Sequence, residues 1–187
     1  MDIIVRIATA NDIDEIEYLY NDLNDYLATH ENYPRWKKGV YPIREHAEEA
    51  LTEENLYVAV IDGKIAGTVV YSNEQEEAYR AANWQIKFDV PVIIISQLAV
   101  LPEFFGCGVG KSLLDYAELI GRKKDAKAIR LDTYDENLPA VRLYEKCGYK
   151  YIGLVDLGLE EIYGLKWYKV FEKVIGFNCS ALKGTIW

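Results

Sequence analysis

Apolar positions return along this chain in two rhythms, one of period two and one near 3.6, and between them they mark out alternating strands and helices. Residues 3–8 alternate closely enough for a first strand. Ile13, Ile16, Leu19, Tyr20, Leu23 and Leu27 then recur at helical spacing behind a capping Thr9 or Asn11. The opposite face of that helix is acidic (Asp12, Asp14, Glu15, Glu17, Asp22, Asp25), as suits a solvated side and a helix N-terminus. A second helix is predicted from Ile43 through Ala47, Ala50 and Leu51. Residues 56–61 and 64–71 are strand-like and are joined by Asp62-Gly63, the signal of a primed two-residue hairpin turn.

Further on, an apolar run (VIIISQLAVLP) stops at Pro102, a glycine-rich turn follows, and a helix with Val109, Leu113, Leu114, Ala117 and Ile120 on one face begins. Arg122, Lys123 and Lys124 suit its C-terminal end. A strand over 128–134 leads to a helix capped by Asn137, with Pro139 tolerated in its first turn and Cys147-Gly148 closing it. Residues 149–157 and 165–174 read as two last strands, so the domain is expected over 1–175 and a tail over 176–187. Two stretches lack a period: THENYPRWKKGVYP (29–42) and NEQEEAYRAANWQIKFDVP (73–91). Their aromatics suit either a ligand wall or the anchoring of a loop on the core.

At 187 residues, one domain able to bury about two thirds to three quarters of its unfolded surface is expected. The net charge of −9 argues against nucleic acid as a partner and is compatible with a cationic acceptor. Cys107, Cys147 and Cys179 are odd in number and lack metal spacing, so a reducing compartment and no metal are expected. No window is apolar enough for a membrane span, and the first residues (MDIIVRIATANDID) carry acids where a signal peptide has bases. The expectation is a cytoplasmic protein without a membrane partner.

The glycine turn is where chemistry enters. Gly106, Gly108 and Gly110 leave backbone N–H groups uncovered beside a helix N-terminus, which makes an anion site, phosphate above all. A P-loop would need glycine at 105, where Phe stands, and a dinucleotide fingerprint would need it at 111, where Lys stands. A nucleotide hydrolase is therefore disfavoured. Phe105, Gly106, Cys107, Gly108, Val109 and Gly110 instead resemble (R/Q)xxGx(G/A), the pyrophosphate loop of the GNAT superfamily of acyl-CoA-dependent N-acetyltransferases, with Phe105 in place of the first Arg or Gln. A second stretch, NLPAVRLYEKCGY, resembles that family's NxxAxxLYexxGF through Asn137, Ala140, Leu143, Tyr144, Glu145, Gly148 and Tyr149.

The resemblance covers roughly residues 3–175. It implies an α/β fold of mixed α+β type, a central twisted, mostly antiparallel sheet of about seven strands flanked by about four helices. It implies an acyltransferase (EC 2.3.1) moving an acetyl group from acetyl-CoA to a primary amine, here of a small molecule. The coenzyme A contacts it implies are Leu98, Ala99, Val100, Phe105, Gly106, Cys107, Gly108, Val109, Gly110, Lys111, Asn137 and Tyr144. Val100 would supply a backbone N–H to the thioester oxygen, and Tyr144 would act as general acid. In many relatives a glutamate on the fourth strand deprotonates the amine; the matching ISQLAV offers only Ser96 and Gln97. Residues 73–91 stand where the family runs quickly from third to fourth strand, so they read as an insertion. Acceptors approach opposite the coenzyme, which makes Tyr33, Trp36, Tyr41, Tyr79 and Trp84 the candidate acceptor wall. A non-catalytic acyl-CoA-binding module is the alternative reading, and a homodimer is left open.

Overall fold

The computed structural model describes residues 2–176. One open sheet runs through it: β1 (Ile4–Ile7), β2 (Leu56–Ile61), β3 (Lys64–Ser72), β4 (Val92–Val100), β5 (Ala128–Tyr134), β6 (Lys150–Asp156) and β7 (Trp167–Val174). Their order is β1-β2-β3-β4-β5-β7-β6, with β4–β5 parallel and every other neighbouring pair antiparallel. The helices α1 (Ile13–Thr29) and α2 (Arg44–Thr52) cover one face beside β2 and β3; α3 (Val109–Lys123) and α4 (Leu138–Lys146) cover the other. The parallel pair follows from α3, whose length lets the chain cross back beside β4. This mixed seven-stranded architecture is the one the resemblance implies.

Local chemistry sets most boundaries. Asp62 and Gly63 both take positive φ (49° and 81°), as a primed turn between β2 and β3 requires. A short 3-10 turn, Ala10–Asp12, precedes α1, because the Asp12 carboxylate accepts hydrogen bonds from Thr9 N and Oγ1 at 2.7 and 2.8 Å. Arg6 grips the same carboxylate through two 2.8 Å bonds and holds it down at about 2. A fifth helix, α5 (Glu160–Tyr163), interrupts the connection between β6 and β7 that the sequence left irregular. Cys107 is exposed and Cys147 buried, whereas Cys179 and all of the expected tail except Gly176 lie outside the described residues.

The central event of the sheet lies in β4. Pairing with β3 steps from Thr68↔Ala99 to Val70↔Ser96, three positions on β4 against two on β3, and Gln97 inside that bulge has φ of 50°. The parallel ladder with β5 ends at Ile95↔Leu131. Val92 to Ile95 are buried, while Ser96 is exposed although it stands mid-sheet. β4 continues along β3 and β5 continues along β7, so the two strands part and leave a cleft.

The aperiodic 73–91 stretch is irregular apart from a 3-10 turn, Glu77–Ala81, yet it is firmly tied down. Arg130 on β5 and Glu172 on β7 are register partners and form an ion pair at 2.9 Å with neither side chain exposed. Glu172 accepts from Gln85 N at 2.8 Å, Arg130 donates to Gln75 Oε1 and Ile86 O, and the Trp84 ring lies over the guanidinium at 4.2 Å. Charges taken out of water this completely are stable only with all partners present, and removing one typically costs about 3–5 kcal/mol. Glu172→Gln is therefore expected to lower the unfolding free energy by about 3 kcal/mol in urea titration, a change of under 0.5 kcal/mol being the ~zero expected of an ordinary surface site.

Candidate active site

The glycine turn sits at the mouth of the cleft, between β4 and α3. Gly106 and Gly108 take φ of 78° and 88°, left-handed values that favour glycine. Gly108 is the N-cap of α3 and no side chain caps that helix, so the first-turn N–H groups of Val109, Gly110 and Lys111 have neither a helical partner nor a side-chain cap. A Cβ on Gly106 would meet nothing within 4 Å, and one on Gly108 only Ile3 Cδ1 at 3.9 Å. The turn thus leaves open space in front of a row of amides, which is what a pyrophosphate needs. Gly110 has a different reason: a Cβ there would come to 3.0 Å from Leu143 Cδ2, so it permits α3 to pack on α4.

The neighbouring side chains are variously engaged. Phe105, 46% exposed, sets its edge against Tyr26 at 5.4 Å, and Tyr26 stacks on His30. Lys111 is paired with Asp115 one helical turn on. Cys107 is exposed and Val109 is core.

On β4, Leu101 N donates to Ala66 O at 2.9 Å. Alternation along the β3–β4 ladder therefore turns the Val100 N–H away from β3, to the side from which β5 has departed. Leu98 and Val100 are half-buried at this edge; Ala99 is core. Across the cleft, Asn137 caps α4, its Oδ1 accepting from Ala140 N at 3.4 Å and its Nδ2 donating to Thr133 Oγ1 at 2.9 Å.

Tyr144 projects from α4 between Phe171 and Tyr149, at 5.5 and 6.2 Å between ring centres. Its hydroxyl makes no hydrogen bond among the described residues, and it is not sealed off as the unpartnered hydroxyl of Tyr149 is. Burial, and secondarily the Asp132 carboxylate, push the phenol above its ordinary value, so it holds its proton throughout the neutral range.

Asp132 is a residue of this cleft that the sequence does not single out. It follows Leu131, where the pairing of β5 with β4 ends, and stays paired to Val170 of β7. Its face of the sheet, shared with Ala128, is opposite to that of Tyr144. Densely surrounded yet not wholly covered, it lies at the floor of the cleft, and burial pushes its carboxyl up to about 6. Tyr79 donates its hydroxyl proton to Asp132 Oδ2 at 2.5 Å. In the sequence the only hint was an acid within a strand, indistinguishable there from a solvated position.

The five candidate acceptor aromatics are brought together only in two pairs, Trp36 with Tyr41 and Tyr79 with Trp84. Tyr33 lines an open cavity of about 490 Å³, with Arg35, Asp135, Glu136 and Lys169 among its other walls. Trp36 and Tyr41 meet edge to face at 5.4 Å, and Tyr41 touches Tyr163 of α5 at 5.8 Å. Tyr79 is fully buried beneath Asp132's side of the sheet. Trp84 packs on Tyr79 with ring centres 5.2 Å apart, donates to Tyr79 O at 2.7 Å and stacks on Arg130. Among the described residues no acid, histidine and cysteine cluster could hold a metal ion, and no helix is long and apolar enough to cross a membrane.

Comparison with known proteins agrees with this geometry. The chain is 28% identical to an N-alpha-acetyltransferase of Sulfurisphaera tokodaii over 152 residues, 78% of this chain and 79% of the relative. It is 23% identical to a streptothricin acetyltransferase of Escherichia coli over 146 residues, 76% and 75% of the two chains. A crystal structure of a GNAT-family acetyltransferase from Streptococcus agalactiae superposes with a TM-score of 0.77 at 21% identity, covering 94% of this chain and 96% of that one. The family model for acetyltransferases of the GNAT family matches residues 16–149, a span holding the glycine turn, the parted strands and Tyr144, and the chain belongs to that family.

Proposed function

We propose that this protein transfers an acetyl group from acetyl-CoA to the primary amine of a small molecule, with Tyr144 as general acid. The observation that carries the reading is the cleft itself: uncapped amides of α3, the outward N–H of Val100 and the unpartnered hydroxyl of Tyr144 border one gap between β4 and β5. Acetyl-CoA would supply the acyl group as a thioester and a pyrophosphate for the turn at Gly106–Gly110 to hold. The fixed N–H of Val100 suits the negative charge that develops on an acyl oxygen, where one donor can contribute about 3 kcal/mol. Tyr144, protonated in the neutral range, can give its proton to a sulfur as charge builds there. Asn137 holds the start of α4 against β5 and so fixes the helix from which Tyr144 projects.

A small acceptor suits the open cavity that Tyr33 lines, about 490 Å³ and within the range of small-molecule sites. One relative, the streptothricin acetyltransferase, is named for a small molecule. Tyr33, Trp36 and Tyr41 are the wall residues we assign to the acceptor, with Tyr79 acting beneath them and Trp84 supporting the fold. Thiol release from acetyl-CoA in the presence of a panel of small primary amines tests the activity; release with none of them would overturn it.

Two variants test the parts. Gly108→Val forces a β-branched residue into left-handed backbone where only Ile3 is near, so the protein should stay folded but lose at least ~10-fold in acetyl-CoA affinity by calorimetry. Unchanged affinity would remove the turn from the binding site. Tyr144→Phe deletes a hydroxyl without a protein partner, so stability should be unchanged while kcat falls by about 10² to 10⁴ and acetyl-CoA affinity stays nearly constant.

A further inference from the structure

The reaction needs a neutral amine, and β4 carries no carboxylate where it borders the cleft; Ser96 and Gln97 occupy that stretch, and Gln97 has a buried Oε1 without a partner. The carboxylate that does reach the cleft comes from the strand across it. We propose that Asp132, oriented by the Tyr79 hydroxyl, is the catalytic base that accepts the proton of the acceptor ammonium, and that the acceptor is an amine that enters protonated from the α1–α2 side of the sheet. This rests on the acetyltransferase reading above and deepens it.

Four placements support it. Asp132 stands where the β4–β5 ladder stops, so no β4 backbone covers it. One carboxylate oxygen, Oδ2, is fixed by Tyr79 at 2.5 Å, while Oδ1 has no hydrogen bond among the described residues and is not sealed from solvent. Asp132 and Tyr144 lie on opposite faces of the sheet but close enough for the carboxylate to raise the phenol, which puts base and acid on the two sides of one gap. Tyr79 itself is held by the segment that the buried Arg130–Glu172 pair anchors, so the carboxylate is positioned from a rigid base.

The groups facing Asp132 come from four elements: Tyr79 and Glu76 from the 73–91 segment, Tyr41 from the α1–α2 connection, Tyr144 from α4 and Tyr168 from β7. Burial dominates and raises the carboxyl, Glu76 raises it further, and the Tyr79 hydrogen bond opposes them. A carboxyl titrating near 6 is ionised at neutral pH yet basic enough to take a proton from an ammonium held against it.

The step balances without a further reagent. Asp132 Oδ1 takes one proton from R–NH3+; the nitrogen lone pair forms the N–C bond as the C–S bond breaks, and the thiolate takes the phenolic proton of Tyr144. The nitrogen sheds a second proton, which restores the phenol, and Asp132 releases its own to solvent. Ammonium and acetyl-CoA become amide, free thiol and one proton.

The test is a pH series on wild type, Asp132→Asn and Tyr79→Phe with an amine found in the thiol-release panel, together with thermal melts. In wild type, kcat/KM should fall below pH about 6. Asp132→Asn should lower it about 10² to 10⁴-fold at pH 7, and the deficit should shrink toward the amine's own pKa, where free amine no longer needs a base. Tyr79→Phe removes the bond that holds the carboxyl down, so its acid limb should move upward, a shift that a merely structural tyrosine would not give. Apart from activity, Asp132→Asn should raise the melting temperature at pH 8 and lose that gain toward pH 5. The sign follows because a carboxyl raised in the fold carries its charging penalty above its folded value and none below its unfolded value. Thiol release that Asp132→Asn retains at the wild-type rate, with the wild-type acid limb, overturns the inference and leaves the acetyltransferase reading standing. Absence of any release from the wild type overturns both.

Discussion

The parting of β4 from β5 is the constraint on which this molecule turns. A parallel pair inside a sheet would ordinarily stay paired along its length, with its N–H groups consumed by the ladder. Here the bulge at Gln97 re-aims β4 after Ile95, and the backbone beyond it keeps β3 while losing β5. The consequence is a gap in the middle of a seven-stranded sheet, with free backbone donors on one lip and side chains of β5 and α4 on the other. Bulges commonly serve to redirect strands beside active sites. The glycine turn and α3 follow directly from the redirected end of β4, so the uncapped amides of α3 and the Val100 N–H are set by the same departure.

A second element fixes what faces the gap from the other side. The Arg130–Glu172 pair, wholly buried, is not favourable in itself, because desolvating two charges offsets most of their attraction. Its value lies in being satisfiable in one arrangement: Gln75, Trp84, Gln85 and Ile86 all have to meet it, and that fixes the 73–91 segment on the sheet. Tyr79, carried by that segment, then orients Asp132. A stretch without periodicity thereby becomes a fixed layer beside Asp132.

How far the sequence reveals this depends on the range of the interaction concerned. Helix faces such as Leu113, Leu114 and Ala117, the Asp62-Gly63 turn, and the glycine run at 106–110 are set by neighbours a few residues away, and they are readable from spacing alone. Tyr144 and Asn137 stand out only through the family resemblance of NLPAVRLYEKCGY, since helical spacing alone would leave Tyr144 a core tyrosine. Asp132 and Trp84 do not. Alternation puts a polar residue on every second strand position, so Asp132 looks like any solvated aspartate until Tyr79, far along the chain, is placed beside it. Trp84 resembles a ligand-wall aromatic until Arg130 is found under its ring. The short α5 escaped for want of length, since four residues carry no period.

The central claim is that the amides lining the parted strands receive the acyl donor. Amide resonances followed by 1H–15N NMR during titration with coenzyme A test it most directly. The account expects the largest shifts at Val100 and at Gly108 to Lys111, with Asn137 and Tyr144 following and β6 and α2 unmoved. Saturable binding that leaves Val100 and the α3 amides unshifted, with the changes gathered elsewhere on the sheet, would contradict it.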